Sequence, residues 1–191
     1  WLLTHSRQNP YAGPPLADMA TVGEPTPELP QISVTAHVTP PVKPGEPGSI
    51  LCEYFEGIDG QEVTNLTSHP DFPSNPTESY YLTTFEIPVD QKEQYGTAIR
   101  GFVHPPLNGD YTFWIASDDD SALYLSDGPD PAGKQRIAYV SGYTAPDDFD
   151  RFASQKSTPI RLEAGKLYHV EAEQREGGGQ DHVSVAWQGP G

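Results

Sequence analysis

Basic residues are scarce in this chain of 191 residues: 11 Lys and Arg stand against 27 Asp and Glu, a net charge of −16. The shortage argues against nucleic-acid binding, which needs a basic face, and against docking on an anionic membrane. Long apolar runs are lacking too. Nothing approaches the roughly 20 apolar residues of a membrane-spanning helix, and Trp1-Leu2-Leu3 is too short for a signal-peptide core. No Met precedes it, so the chain reads as a processed or excised piece of something longer. Cys52 is the only cysteine, which rules out an internal disulfide and an all-cysteine zinc site. No window carries a helical apolar stripe longer than about two turns. The signatures of catalysis are also missing. There is no Gly-x-Ser-x-Gly elbow, no His-Glu-x-x-His and no phosphate-binding Gly-Lys-Ser/Thr loop, and the histidines lack metal-ligand spacing. Nothing marks a glycosidase carboxylate pair, so the chain is read as a non-enzyme.

Proline is plentiful, and unevenly so. Ten of the 21 prolines fall in the first 50 residues. Segments such as Thr39-Pro40-Pro41-Val42-Lys43-Pro44 favour an extended polyproline conformation and cannot bury a core. Ile32 to Val38 alternates like a strand, suited to adding to a sheet edge. Residues 1–48 are therefore an arm or linker, and a folded domain is expected over 49–191.

In that domain the apolar period is two. Strands are expected at Ala98–Val103, Tyr111–Ile115, Leu123–Leu125, Arg136–Val140, Ile160–Leu162, Leu167–Ala172 and Val183–Trp187. Turn signals such as Asn108-Gly109, Asp127-Gly128 and Gly177-Gly178-Gly179 separate them. Many short strands at this spacing make an all-β, antiparallel β-sandwich or barrel-like domain. Within it, Ser117-Asp118-Asp119-Asp120-Ser121 crowds three carboxylates between two buried runs. Either the segment is a solvated acidic turn, or a cation sits there.

Four segments occur in a telling order: Asn108-Gly109-Asp110-Tyr111-Thr112-Phe113-Trp114, Ser117 to Leu125, Leu162-Glu163-Ala164-Gly165-Lys166-Leu167-Tyr168, and Glu176-Gly177-Gly178-Gly179 through Val185-Ala186-Trp187. With Cys52 to Ile58 and Val63 to Thr67, they resemble the PA-fourteen (PA14) domain, named for the anthrax protective antigen. The resemblance covers residues from about 50 to 191. It implies a β-sandwich module of an extracellular or cell-surface protein, such as an adhesin or a secreted polysaccharide-degrading enzyme. Many members bind glycans through a calcium ion.

The resemblance also implies a site. Adjacent side chains of a regular strand point to opposite faces; in the calcium-binding members a cis peptide turns two neighbouring aspartates to one side. Asp118 and Asp119 match that pair, with the shifted pair Asp119–Asp120 as the alternative. Ca²⁺ needs 6–8 oxygen ligands, so a second loop must contribute. Gln180 or Asp181 would supply a side-chain oxygen, and Gly178 and Gly179 would present carbonyls. His182, Tyr143, Phe149 and Asp120 are the candidates for contacting sugar beside the ion. The expected partners are a glycan or polysaccharide and other domains of the parent chain. A second reading is an assembly module that binds protein or self-associates through residues 1–48. Asn65-Leu66-Thr67 has the N-glycosylation form.

Overall fold

A computed structural model describes residues 49–190 except Gln91. The arm assigned to residues 1–48, with its strand-like Ile32–Val38 and its assembly role, lies outside the described residues. The described chain forms two antiparallel sheets, as expected from the two-residue periodicity. Strands β1 (Ile50–Glu56), β2 (Glu78–Leu82), β4 (Tyr95–Val103), β6 (Ser121–Leu125), β7 (Gln135–Val140) and β9 (Tyr168–Glu176) build a six-stranded sheet in the order β2-β1-β4-β9-β6-β7. Strands β3 (Glu86–Ile87), β5 (Gly109–Asp118), β8 (Ile160–Leu162) and β10 (His182–Gln188) build a four-stranded sheet in the order β3-β10-β5-β8. One short α-helix, α1 (Val63–Thr67), follows the first strand.

Alternation decides which side chains meet between the sheets. Tyr54, Ile99, Val170, Ala172 and Leu123 from one sheet pack against Tyr111, Phe113, Ile115, Val183 and Val185 from the other, all buried. Trp187 stacks on Tyr111 with ring centroids 5.3 Å apart. Trp114 points the other way and is covered by Lys156, whose Nζ sits 5.2 Å from the ring centroid.

β9 is buried along its whole length, because both of its faces are covered. Tyr168, Val170 and Ala172 enter the core. Glu171 and Glu173, on the opposite face, meet the ammonium of Lys134 at 2.9 Å each, and Glu171 also pairs with Arg100 at 3.0 Å. Helix α1 caps this outer face with Leu66, which packs with Phe55, Ile58 and Ala98. The approach is close: a Cβ on Gly96 of β4 would lie 2.5 Å from Leu66 Cδ1.

The chain passes from one sheet to the other at one end of the sandwich. β5 hands over to β6 through Asp119-Asp120, and β9 hands over to β10 through residues 177–181. Because β5 pairs with β10 and β6 with β9, the two corners lie side by side: Asp118 faces His182, and Ser121 faces Gln174. A third corner, residues 88–94, joins β3 to β4 beside them. Its Asp90 N–H donates to the Asp181 carbonyl at 3.1 Å, and its Lys92 N–H donates to the Asp181 carboxylate at 2.9 Å.

Candidate metal and ligand site

The three corners enclose a cluster of acids. Asp118, Asp119 and Glu176 each present a carboxylate oxygen, and these oxygens lie within 4.8 Å of one another. The Asp118–Asp119 peptide is cis. Among the described residues no lysine or arginine ion-pairs with any of the three.

Each member is held by the strands around it. Asp118 ends β5, and its carbonyl accepts from Gln174 Nε2 at 2.7 Å. The Asp119 carboxylate accepts from the Gly177 N–H at 3.0 Å, while its carbonyl accepts from the Ser117 hydroxyl at 2.7 Å. Glu176 follows from the alternation of β9, since 168, 170, 172, 174 and 176 all face inward. That register is apolar until Gln174, then turns polar where the sandwich opens. One Glu176 oxygen accepts from the Gly178 N–H. The other, Oε2, is buried without a hydrogen-bond partner.

The crowding shows in the protonation equilibria. Burial, then the charge of Asp119, pushes the Asp118 carboxyl up to about 6. Burial, then again the charge of Asp119, pushes Glu176 up to about 7. Three acids share one place without a direct ion pair, Arg175 and Arg151 acting on them only from a distance, and one of their buried oxygens is orphaned. Such an arrangement is costly unless something cationic joins it.

Of the two aspartate pairs, Asp118 and Asp119 are the one whose carboxylates converge. Asp120 turns away: its carboxylate accepts from the Gly142 N–H at 2.6 Å, and its carbonyl accepts from the Arg175 N–H at 2.9 Å. Asp118 and Asp119 therefore group together without it. Residues 178–181, expected to complete the ligand set, are placed as follows. Asp181 is fully buried and its Oδ2 accepts from the Tyr95 hydroxyl at 2.8 Å as well as from Lys92; it ties corners together and is not one of the three clustered acids. Gln180 is exposed on the loop. Gly178 and Gly179 take φ values of 151° and 119°, which favour glycine. Gly177, read from the sequence as part of the glycine turn and not as a ligand, is the glycine that touches Asp119, and its carbonyl accepts from Gln94.

His182, expected to contact sugar, is buried. It is 3% exposed, with both ring nitrogens unpartnered, and burial lowers its pKa. Strand pairing sets it opposite Asp118. The loop over residues 141–152 does reach the site. The Thr144 N–H donates to the Ser117 carbonyl at 2.7 Å, and the Ser117 N–H donates to the Thr144 hydroxyl at 3.1 Å. Tyr143 beside it is 53% exposed, with the Arg151 guanidinium 4.4 Å from its ring centroid. Phe149 is half-buried in the same loop.

The PA14 domain model matches residues 45–191. An N-acetyl-beta-glucosaminyl-glycoprotein 4-beta-N-acetylgalactosaminyltransferase 1 from Mus musculus is 37% identical over 163 residues, which is 83% of this chain and 16% of that relative. This chain thus spans about a sixth of the transferase's length. Among solved structures, a PA14 sugar-binding domain from an RTX adhesin superimposes with a TM-score of 0.56 at 11% identity, over 74% of this chain and 90% of that one. The Epithelial Adhesin 9 A domain from Candida glabrata, in complex with Galb1-4GlcNAc, gives a TM-score of 0.52 at 10% identity, over 74% and 82% of the two chains. At such identities the likeness is one of fold. No helix of the described residues is long and apolar enough to cross a membrane.

Proposed function

The chain belongs to the PA14 domain family, and we propose that it is a non-catalytic carbohydrate-binding module whose ligand is held through a calcium ion at Asp118, Asp119 and Glu176. The reading is carried by one observation: three carboxylates, none of them in a lysine or arginine ion pair among the described residues, converge with a buried oxygen left over.

The donor set fits the ion. Ca²⁺ prefers hard oxygen ligands at 2.3–2.6 Å, so two donors on opposite sides of it stand about 5 Å apart. Mutual separations within 4.8 Å meet that condition without rearrangement. The otherwise unpaired Glu176 Oε2 gains a partner, and a divalent charge offsets three crowded anions. A bound calcium ion supplies open coordination positions that vicinal sugar hydroxyls occupy in place of water. Gln94 and Gly177 fix the wall behind the acids. Tyr143, exposed and tethered through Thr144, offers a ring for the apolar face of a pyranose.

The wider context supports the same reading. The Candida glabrata neighbour was solved with Galb1-4GlcNAc, the RTX adhesin neighbour is titled a sugar-binding domain, and the mouse relative acts on an N-acetyl-beta-glucosaminyl glycoprotein by its name. We place this module accordingly in a larger extracellular or cell-surface protein, presenting glycan to the remainder of that chain.

The test is a glycan array probed in millimolar calcium and again in chelator. Binding that chelation abolishes, and that Asp119→Asn removes together with the calcium heat of binding, is the expected result. Glycan binding indifferent to chelator defeats the metal-mediated reading.

A further inference from the structure

We infer that a second saccharide subsite lies beside the acid cluster, in the hollow between α1 and the β6–β7 pair, and that it takes a neutral sugar residue of the same glycan. This inference rests on the carbohydrate reading above.

The hollow has a volume of about 210 Å³ and is lined by Tyr139, Arg136, Asp120, Thr64, Ser141 and Tyr124, among others. Tyr139 is 38% exposed, although it sits in the middle of β7. The Arg136 guanidinium lies 4.4 Å from its ring centroid, so an aromatic shelf and a fork of donors are presented together. Arg136 is exposed and forms no ion pair among the described residues. In a chain with 16 excess negative charges, an arginine kept off the acids keeps its donors available.

The opposite wall carries acceptors and hydroxyls. Asp120 is fixed there by the Gly142 N–H, and the Thr64 hydroxyl is held by Glu62 at 3.1 Å. A cationic donor, carboxylate acceptors, neutral hydroxyls and a ring together match a polyol with one apolar face. Two acids to one base among the lining groups disfavour an acidic sugar. The location adds the link to the first site. Asp119 faces the acid cluster and Asp120 faces the hollow, and consecutive Cα atoms are about 3.8 Å apart. The two sites therefore adjoin through consecutive residues of one corner.

The experiment is an array of mono- to hexasaccharides in millimolar calcium, with wild type, Tyr139→Ala and Arg136→Ala, and a parallel calorimetric calcium titration. Wild type is expected to hold its preferred longer glycans roughly tenfold more tightly than their terminal units. Each variant is expected to lose most of that gain while keeping wild-type affinity for calcium and for the terminal unit. Both substituted side chains are exposed, so the fold is retained. No gain with length in wild type, or a gain unaltered in both variants, overturns the second subsite and leaves the first standing. No retention of any glycan while calcium still binds overturns the carbohydrate reading, and this subsite with it.

Discussion

Replacing Glu176 by Gln separates the two sides of the proposed site, because its effects on the empty and the loaded protein have opposite signs. Gln keeps the shape and can still accept from the Gly178 N–H. Its amide donates towards Asp118 and Asp119, where Glu176 Oε2 offers only repulsion. The Glu176 carboxyl is raised from 4.5 to about 7, by burial first and the charge of Asp119 next. A raised carboxyl favours the neutral form in the folded state. Its ionisation therefore costs stability in full above pH 7, and nothing below about 4.5. A displacement of that size corresponds to at most about 3 kcal/mol, and water at the open end of the sandwich screens it to roughly 1–2 kcal/mol. In chelator at pH 8, E176Q should melt about 3–6 °C above wild type, with the advantage gone by pH 4.5. In saturating calcium the order reverses. Wild type gains about 2.7 kcal/mol at 100 times its Kd, whereas a variant stripped of one ligand charge, binding about 100-fold more weakly, gains only about 0.4 kcal/mol at that concentration. Scanning calorimetry with and without chelator at the two pH values reads all four states. If E176Q melts below wild type in chelator at pH 8, or titrates calcium normally, the crowded-carboxylate account is wrong.

Other outcomes follow from the same contacts. Calcium affinity should fall by at least about tenfold between pH 7.5 and 5.5, as Glu176 near 7 and Asp118 near 6 take up protons that the metal must displace; calorimetric titration at the two pH values checks it, and a flat profile counts against these ligands. Tyr95→Phe removes the hydroxyl that donates to the buried Asp181 carboxylate and should cost about 1–3 kcal/mol in urea unfolding. Gly96→Ala drives a methyl group against Leu66 and should destabilise by about 1–3 kcal/mol, while leaving calcium binding at 20 °C unchanged.

What the sequence by itself determined is the class of fold and the place of the charge. Period-two patterning decides which side chains share a face, so Tyr111, Phe113 and Ile115 were bound to enter the core together. The run Asp118-Asp119-Asp120 was visible as a conflict between buried strands, and its resemblance to a known module singled out the aspartates. What tertiary structure decided is which acids meet. Glu176 lies 57 residues beyond Asp119 in the chain, and only the pairing of β6 with β9 beside β5 with β10 brings them together. Its one local trace is an inward register that changes from Val170 and Ala172 to Gln174 and Glu176. Asp181, offered as a metal ligand, and His182, offered as a sugar contact, follow a glycine-rich turn, and the return into β10 buries both. A linear chain lists its carboxylates; corners folded against one another choose among them, because a cation binds to oxygens close in space and is indifferent to their order along the backbone.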